Sequence, residues 1–352
     1  MMMDFKRKAC LWALAALLTA GVPAGVPAGV QAAQFAPMTA VEQAAAERGD
    51  YRGYYWKLDE KDKDELPRNF RLSDGKFQEM PAEKGGPALL AAPSREGLDT
   101  LHISASAEFS RSEWGRLWPV LRQKATGPVY VVDLRQESHG YFNGAAVSWR
   151  GKRNWGNVGK SPREVLRDEQ KRLTEAKGKK VQVKFEPKTQ PKESISMEVS
   201  DVMTEKELVE QSGARYFRLT DTDHVWPADE NIDRFIDFVK KLPDDAWLHF
   251  HCRAGKGRTT SYMAMYDMMR NPQVPCEDII SRQYLLGGAY LAFELQNPQP
   301  SQWRAKYYQE KAQMIRMFYQ YVQENRQSNF KVKWSKWLKA HKDSLNGART
   351  AA

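Results

Sequence analysis

Cysteine is scarce in this 352-residue chain, which has only Cys10, Cys252 and Cys276. Three are too few for a disulfide framework, so the fold must stand on its hydrophobic core. The six histidines (His102, His139, His224, His249, His251 and His341) are scattered without ligand spacing, and there is no acidic calcium loop. No metal site and no cofactor are expected. No internal repeat is visible, and past residue 32 no apolar run is long enough to span a bilayer. The one conspicuous apolar run, Cys10 to Ala20, follows Lys6, Arg7 and Lys8 and leads through GVPAGVPAGV to the small-residue site Val30-Gln31-Ala32. That order predicts a secretory signal peptide over residues 1–32, cut before Ala33, and hence a secreted, periplasmic or cell-envelope protein. Cys10 precedes the apolar run, where a lipid-anchor cysteine would not stand. Residues 33–50, rich in Ala and Gln, read as a loose mature N-terminus.

What is present is an ordinary globular composition, 41% hydrophobic and 11% aromatic, enough for one large domain or two modest ones. Removing the signal takes away three cations and Asp4, so the formal net charge of +10 becomes about +8. A chain this basic suits polyanionic partners. A nucleic-acid binder is one such reading, given eleven tryptophans, but most of those aromatics fall on apolar faces or beside turns, where core packing is their usual employment. The expected partner is a small polyanion, without nucleic acid and without a membrane span. Nothing in the pattern specifies an oligomeric state.

Strands alternate with helices. A helical pattern over 110–124 precedes a buried strand at 129–132, and a second strand at 215–219 precedes a helix over about 228–242 with Ile232, Phe235, Ile236 and Val239 on one face. A third strand, 247–250, precedes a helix from about Thr259 to Arg270 that stops before Asn271-Pro272. This alternation predicts an α/β fold, a mostly parallel sheet flanked by helices. Between 141 and 200 the pattern changes to short polar segments, a charged helix near 162–176 and the alternation VQVKF, which predicts a small β-rich insertion. Residues 302–327 read as a long amphipathic helix.

The third strand runs into His251-Cys252-Arg253-Ala254-Gly255-Lys256-Gly257-Arg258-Thr259. Gly255 and Gly257 let the backbone curl so that successive amides converge, and the following helix adds its positive end, which makes an anion cradle. Arg258 suits two phosphate oxygens at once, and the same positive field lowers the Cys252 pKa from about 8.5. Thr259 is placed to donate to the thiolate, and His251 to orient the loop from the strand end. A cysteine nucleophile on phosphorus also needs an acid for the leaving oxygen, and TDTDHVWPADEN offers Asp221, Asp223 and Asp229. Asp221 to Val225 also fits the D-x-D-x-[TV] nucleophile motif of magnesium-dependent aspartyl phosphatases, although no separate acidic metal pair accompanies it.

The Cys-x5-Arg-Thr signature resembles the cysteine-based protein tyrosine phosphatase superfamily. Together with RYFRLTDTDHVWP, LPDDAWLHFHC, LPRNFR (66–71), PSREGLDTLHIS (93–104), DLRQESHGY (133–141) and KYYQEKAQMI (306–315), it is similar to the bacterial protein-tyrosine-phosphatase-like phytases. The resemblance implies a phosphatase domain over 51–140 and 201–345, a small β-barrel-like insertion over 141–200, and stepwise hydrolysis of myo-inositol hexakisphosphate without a cofactor. Hydrolysis of phosphoinositides or phosphoproteins is the alternative within the superfamily. In the family's D-H-x-W-P pattern the acid precedes the tryptophan, which selects Asp223, with His224 as a substrate contact. Substrate contacts are further implied at Arg253, Ala254, Gly255, Lys256, Gly257, Lys57, Lys188, Arg304, Tyr308 and Lys311. Arg253 stands where relatives are commonly acidic, and Asn154 where they tend to carry aspartate.

Overall fold

Val129–Asp133 (β4) and Trp247–His251 (β11) are short runs, rich in β-branched and aromatic residues, that are buried on both faces, the signature of central parallel strands. The computed structural model describes residues 51–79, 92–186, 192–295, 297–299 and 301–350. The expected signal peptide, the loose N-terminus and Lys188 lie outside these residues. One sheet has the order β10-β4-β11-β3-β2. In it Arg215–Arg218 (β10), β4, β11 and Ile103–Ser106 (β3) run parallel, and Arg71–Leu72 (β2) pairs antiparallel at the edge. Alternation along the strands sends Val129, Val131 and Trp247 into one core with Trp114, Leu117 and Leu121 of helix α1, Arg111–Lys124. On the other face Phe250 meets Phe235 of α4, Asp229–Val239, and Tyr266 of α5, Gly257–Arg270. The helix-flanked, mostly parallel sheet read from the sequence is therefore the fold.

The second sheet has the order β8-β7-β1-β6-β5-β9. It takes β1 (Tyr55–Glu60) from far upstream and adds β5 (His139–Phe142), β6 (Ala145–Arg150), β7 (Lys180–Phe185), β8 (Glu193–Glu198) and β9 (Val202–Met203). Among the described residues no pairing joins β8 to β9, so the sheet is open where a barrel-like form was expected. Its inner face packs Trp56, Leu58, Phe142, Val147 and Val183 against Leu173 and Ala176 of α2, Pro162–Ala176.

The sequence pattern missed β1, because Lys57, Asp59 and Glu60 interrupt its apolar rhythm while being buried as ion-paired groups. It also missed the helices α3 (Glu205–Gln211), α6 (Cys276–Leu285) and α8 (Trp334–Thr350). The helix after the motif starts at Gly257, two residues before the expected start, and the long helix α7 spans Ala305–Asn325.

Candidate active site

Cys252 leaves the end of β11 and is 3% exposed. The turn that follows is shaped from outside. Glu108 N–H donates to the Arg253 carbonyl (3.3 Å), Asn69 Nδ2 to Ala254 O (2.9 Å), and Arg71 Nη1 to Gly255 O (2.7 Å). With three successive carbonyls engaged outward, the turn's amides are left to face an anion on the other side. Gly255 is obligatory there. Its φ is +64°, and a Cβ would stand 2.3 Å from the Ser106 carbonyl oxygen. Gly257 has no such constraint: it opens α5, and a methyl placed on it would lie 3.6 Å from Lys311 Nζ.

Arg258, on the first turn of α5, is buried and held from the rear by Glu137, which accepts from Nη1 (2.8 Å) and Nη2 (3.0 Å). Nη1 also donates to the carbonyls of Leu134 (3.2 Å) and Asp221 (3.0 Å), Nη2 stands 3.3 Å from Asp223 Oδ1, and Nε is a buried donor without a partner among the described residues. A buried guanidinium fixed this firmly with one donor unspent is prepared for an anion beside the turn. Burial alone would raise the Cys252 thiol, but Arg258 and the Thr259 hydroxyl hold it below the ordinary thiol value. That hydroxyl, buried, has no other partner among the described residues.

Of the three candidate aspartates, only Asp223 is given an ion pair with Arg258 through its carboxylate; Asp221 meets Arg258 through its backbone carbonyl. Asp221 is buried and fully engaged, accepting from Ala228 N–H (3.0 Å), Asn231 Nδ2 (2.8 Å) and the Tyr262 hydroxyl (2.5 Å). It ties the start of α4 to α5, and no open oxygen is left for a nucleophile. Asp229 accepts from Trp334 Nε1 at 2.8 Å, on the side where α8 docks. Asp223 itself receives Asn154 Nδ2 (3.1 Å), and its carbonyl receives Trp155 Nε1 (2.8 Å). Burial would push its carboxyl up, but Arg258, with His224, holds it at about 2. His224 sits in a left-handed backbone conformation (φ +75°), and burial pushes its imidazole down to about 4, so it is neutral near pH 7.

His251 lies between Glu205 (Nε2 to Oε1, 2.7 Å) and Glu108 (Nδ1 to Oε2, 3.6 Å). Burial opposes its charge, but these carboxylates hold its pKa well above the usual imidazole value, which suits an orienting cation. Two sets, Glu108, His139, Glu205 and Asp133, Glu205, His251, have ligand atoms within 4.8 Å of one another. Arg135 already pairs Glu108, and Arg218 pairs Asp133 at 3.0 Å, so the charge a metal would supply is present as guanidinium.

The outer residues differ in how free they are. Lys57, 3% exposed, donates to Glu186 (3.0 Å), and its pKa is lowered by burial and by Arg253 and Arg150. Arg253 Nε reaches Asp59 at 2.6 Å, and Lys256 Nζ donates to the Gly287 carbonyl. Lys311, 8% exposed, lies near the turn, and burial pushes its amine down to about 8 against the pull of Asp223. Its Nζ stands 6.0 Å over the Tyr308 ring, which packs on Phe293. Arg304 precedes α7 and stacks on Trp303 at 5.1 Å. Sequence reasoning passed over Asn69, Arg71, Glu108 and Glu137 as site residues. Their only signal was membership of the blocks 66–71 and 133–141 or nearness to β3, with nothing local to tie them to the loop.

A strand, a Cys-x5-Arg turn and a helix, with a carboxylic acid brought in from a separate loop, define the class of a cysteine-centred phosphate site. A family model described as PTP-like phytase, inositol hexakisphosphate, matches residues 132–270. A solved PTP-like phytase from Bdellovibrio bacteriovorus is 31% identical over 81% of this chain and 95% of its own, with a TM-score of 0.61. The tandemly repeated PTP-like phytase from Mitsuokella multacida is 52% identical over 84% of this chain and 52% of its own, with a TM-score of 0.80. The same figures hold for a PTP-like myo-inositol phosphatase from Mitsuokella multacida solved in complex with myo-inositol-(1,3,4,5)-tetrakisphosphate. Effector protein hopD2 of Pseudomonas syringae pv. tomato is 30% identical over 68% of this chain and 52% of its own length. This chain thus spans about half the length of the Mitsuokella protein and of hopD2. The chain belongs to the protein-tyrosine-phosphatase-like phytase family.

Proposed function

We propose that the protein is an exported cysteine-dependent phosphomonoesterase that removes phosphates from myo-inositol hexakisphosphate stepwise. The observation that carries the reading is the convergence of Cys252, the partnerless Nε of Arg258 and the Asp223 carboxyl on one turn whose carbonyls are tied outward. The Cys252 thiolate attacks phosphorus, an S–P bond forms and the P–O bond breaks, and the departing inositol oxygen takes the Asp223 proton. Water then attacks phosphorus while Asp223 accepts its proton, and the S–P bond breaks to return the thiolate, which the Thr259 hydroxyl stabilises. Arg258 and the turn amides hold the charge on the non-bridging oxygens throughout.

In the free protein Asp223 stays ionised down to about pH 2 because Arg258 faces it. A bound phosphate engages that guanidinium and sets its own negative charge beside the carboxylate, so Asp223 gains its proton on substrate binding. The buried cations Lys311 and Lys57, with Arg253 and Arg304, suit a substrate with several phosphates. The Mitsuokella neighbour was solved with an inositol tetrakisphosphate, which supports the same class. Export rests on the N-terminal sequence pattern, and one relative is named an effector protein. The test is phosphate release from phytate, a phosphotyrosine peptide and a phosphoinositide, side by side. Phytate should be the preferred substrate, and Cys252→Ser should lower turnover at least about a thousandfold while retaining phytate binding. A preference for either of the other two would favour the alternative within the superfamily. Undiminished turnover in Cys252→Ser would remove the mechanism.

A further inference from the structure

We propose that Arg153, with Arg304 at the same Trp303 ring, forms a second phosphate subsite at the rim of the active site, gripping a phosphate other than the one attacked by Cys252. This rests on the functional reading above and extends it to a residue outside the expected contacts. Arg153 lies in the turn Lys152–Asn154 in a left-handed conformation (φ +57°), uncommon for a side-chain-bearing residue and followed at once by Asn154 at φ +68°. A backbone held this way against its preference marks a place where the side chain's position matters.

That position is set by rings. The guanidinium lies 4.3 Å from the centroid of Trp303, 5.2 Å from Trp155 and 5.6 Å from Tyr51, and among the described residues its one hydrogen bond is from Nη1 to the Tyr51 hydroxyl (3.2 Å). Stacking orients a guanidinium while leaving the donors at its edge available, which a carboxylate partner would not. Among the described residues neither Arg153 nor Arg304 has a carboxylate within ion-pair distance, whereas Arg135, Arg218, Arg253 and Arg258 all do. The location is the mouth of the site: Trp303 meets His224 edge-on at 5.4 Å, Trp155 donates to the Asp223 carbonyl, and Asn154 donates to its carboxylate. A substrate bound at Cys252 and projecting past His224 therefore meets two guanidiniums on one indole.

The bland alternative is a clasp in which Arg153 merely pins Tyr51, Trp155 and Trp303 together to hold the acid loop. The two differ in what they do to different substrates. Arg153→Met keeps a long apolar stem against the rings and deletes the charge, and Arg153→Lys keeps the charge without the planar fork. KM values for inositol hexakisphosphate and for p-nitrophenyl phosphate are to be measured for the wild type and both variants. Hexakisphosphate affinity is to be measured in the same variants on a Cys252→Ser background. For Arg153→Met the hexakisphosphate KM and Kd should rise about tenfold, the loss of one charge-assisted phosphate contact, and the preference over the monoester should fall with them. Arg153→Lys should fall between. Equal changes on both substrates, or no change on either, overturn the subsite and leave a clasp. A wild-type protein with no preference for the hexakisphosphate overturns the functional reading and the subsite together.

Discussion

Gly255 and Asn154 show how much of the candidate site rests on single atoms. Gly255→Ala asks a side chain to adopt φ +64° and to stand 2.3 Å from a β3 carbonyl, so the turn must shift. It should lower turnover at least about a hundredfold and cost about 2 kcal/mol or more of stability, read by steady-state kinetics and urea unfolding. Asn154 is 2% exposed and lends one amide group to two carboxylates, Glu137 (2.9 Å) and Asp223 (3.1 Å). Only the NH2 can face both, which fixes the amide's orientation. Donation to the ionised form favours it, so Asn154 helps hold the Asp223 carboxyl down. Asn154→Asp replaces that donor with a third carboxylate, and one of the group must then keep a proton. The alkaline limb of the kcat profile, which reads Asp223 in the substrate complex, should move up by about one pH unit, and an unmoved limb would mean that the side chain only fills space.

Among elements, α8 was invisible in the sequence pattern yet is tied to two other helices. Its aromatic side, Trp334 and Trp337, closes over Phe318 and Tyr321 of α7. Its first turn is tied to α4 through Trp334 Nε1 to Asp229 (2.8 Å) and Ser335 N–H to Asp233 (3.2 Å). α4 in turn is the helix whose start Asp221 anchors below the acid loop. Trp334→Ala removes a fully buried indole and orphans Asp229, so a destabilisation of about 3–5 kcal/mol is expected by chemical denaturation. A change under about 1 kcal/mol would show that α8 is only laid against the body.

At the scale of the whole molecule, a buried ionic network joins the two sheets beneath the site. His139 of β5 stands 3.3 Å from Asp133 of β4 and 3.1 Å from Glu205 of α3, while Arg218 of β10 pairs Glu169 of α2 at 2.8 Å. Burial and Arg135 oppose a charged His139, but Asp133 and Glu169 carry it up to about 10. A raised folded pKa stabilises fully below the unfolded value, near 6.5, and that stabilisation is lost as pH rises to about 10. Asp133 and Glu137 behave oppositely, held well below the usual carboxylate range by Arg218 and Arg258 against burial, so their contribution fades as pH falls below about 4. The melting temperature should fall from about pH 7 to pH 10, and His139→Asn, though destabilised, should flatten that decline. A melting temperature unchanged across the alkaline range would contradict a charged His139.

The nucleophilic loop was legible because its chemistry is contiguous: Cys252 to Thr259 carry the thiol, the glycine, the arginine and the hydroxyl within eight residues. Of the parallel strands, β4 and β11 were legible because burial on both faces leaves largely apolar runs, whereas β3, the short run ISAS, was not. The partners that tune the loop were not. Glu137 lies 121 residues from Arg258, and Asp59 lies 194 from Arg253. A buried carboxylate looks in sequence like a surface one until its cation is known. For the same reason Asp221, Asp223 and Asp229 were indistinguishable by residue type, and their hydrogen bonds sort them into an anchor, a candidate acid and a tie to α8.

By itself the sequence determined that a phosphate could be held beside a cysteine, since convergent amides and an adjacent guanidinium follow from local backbone and side-chain chemistry. Only the tertiary structure decided which acid faces that guanidinium, which arginines are already neutralised and which remain open at the rim. Those are properties of distance, and the chain sets distance only when its sheets and helices pack.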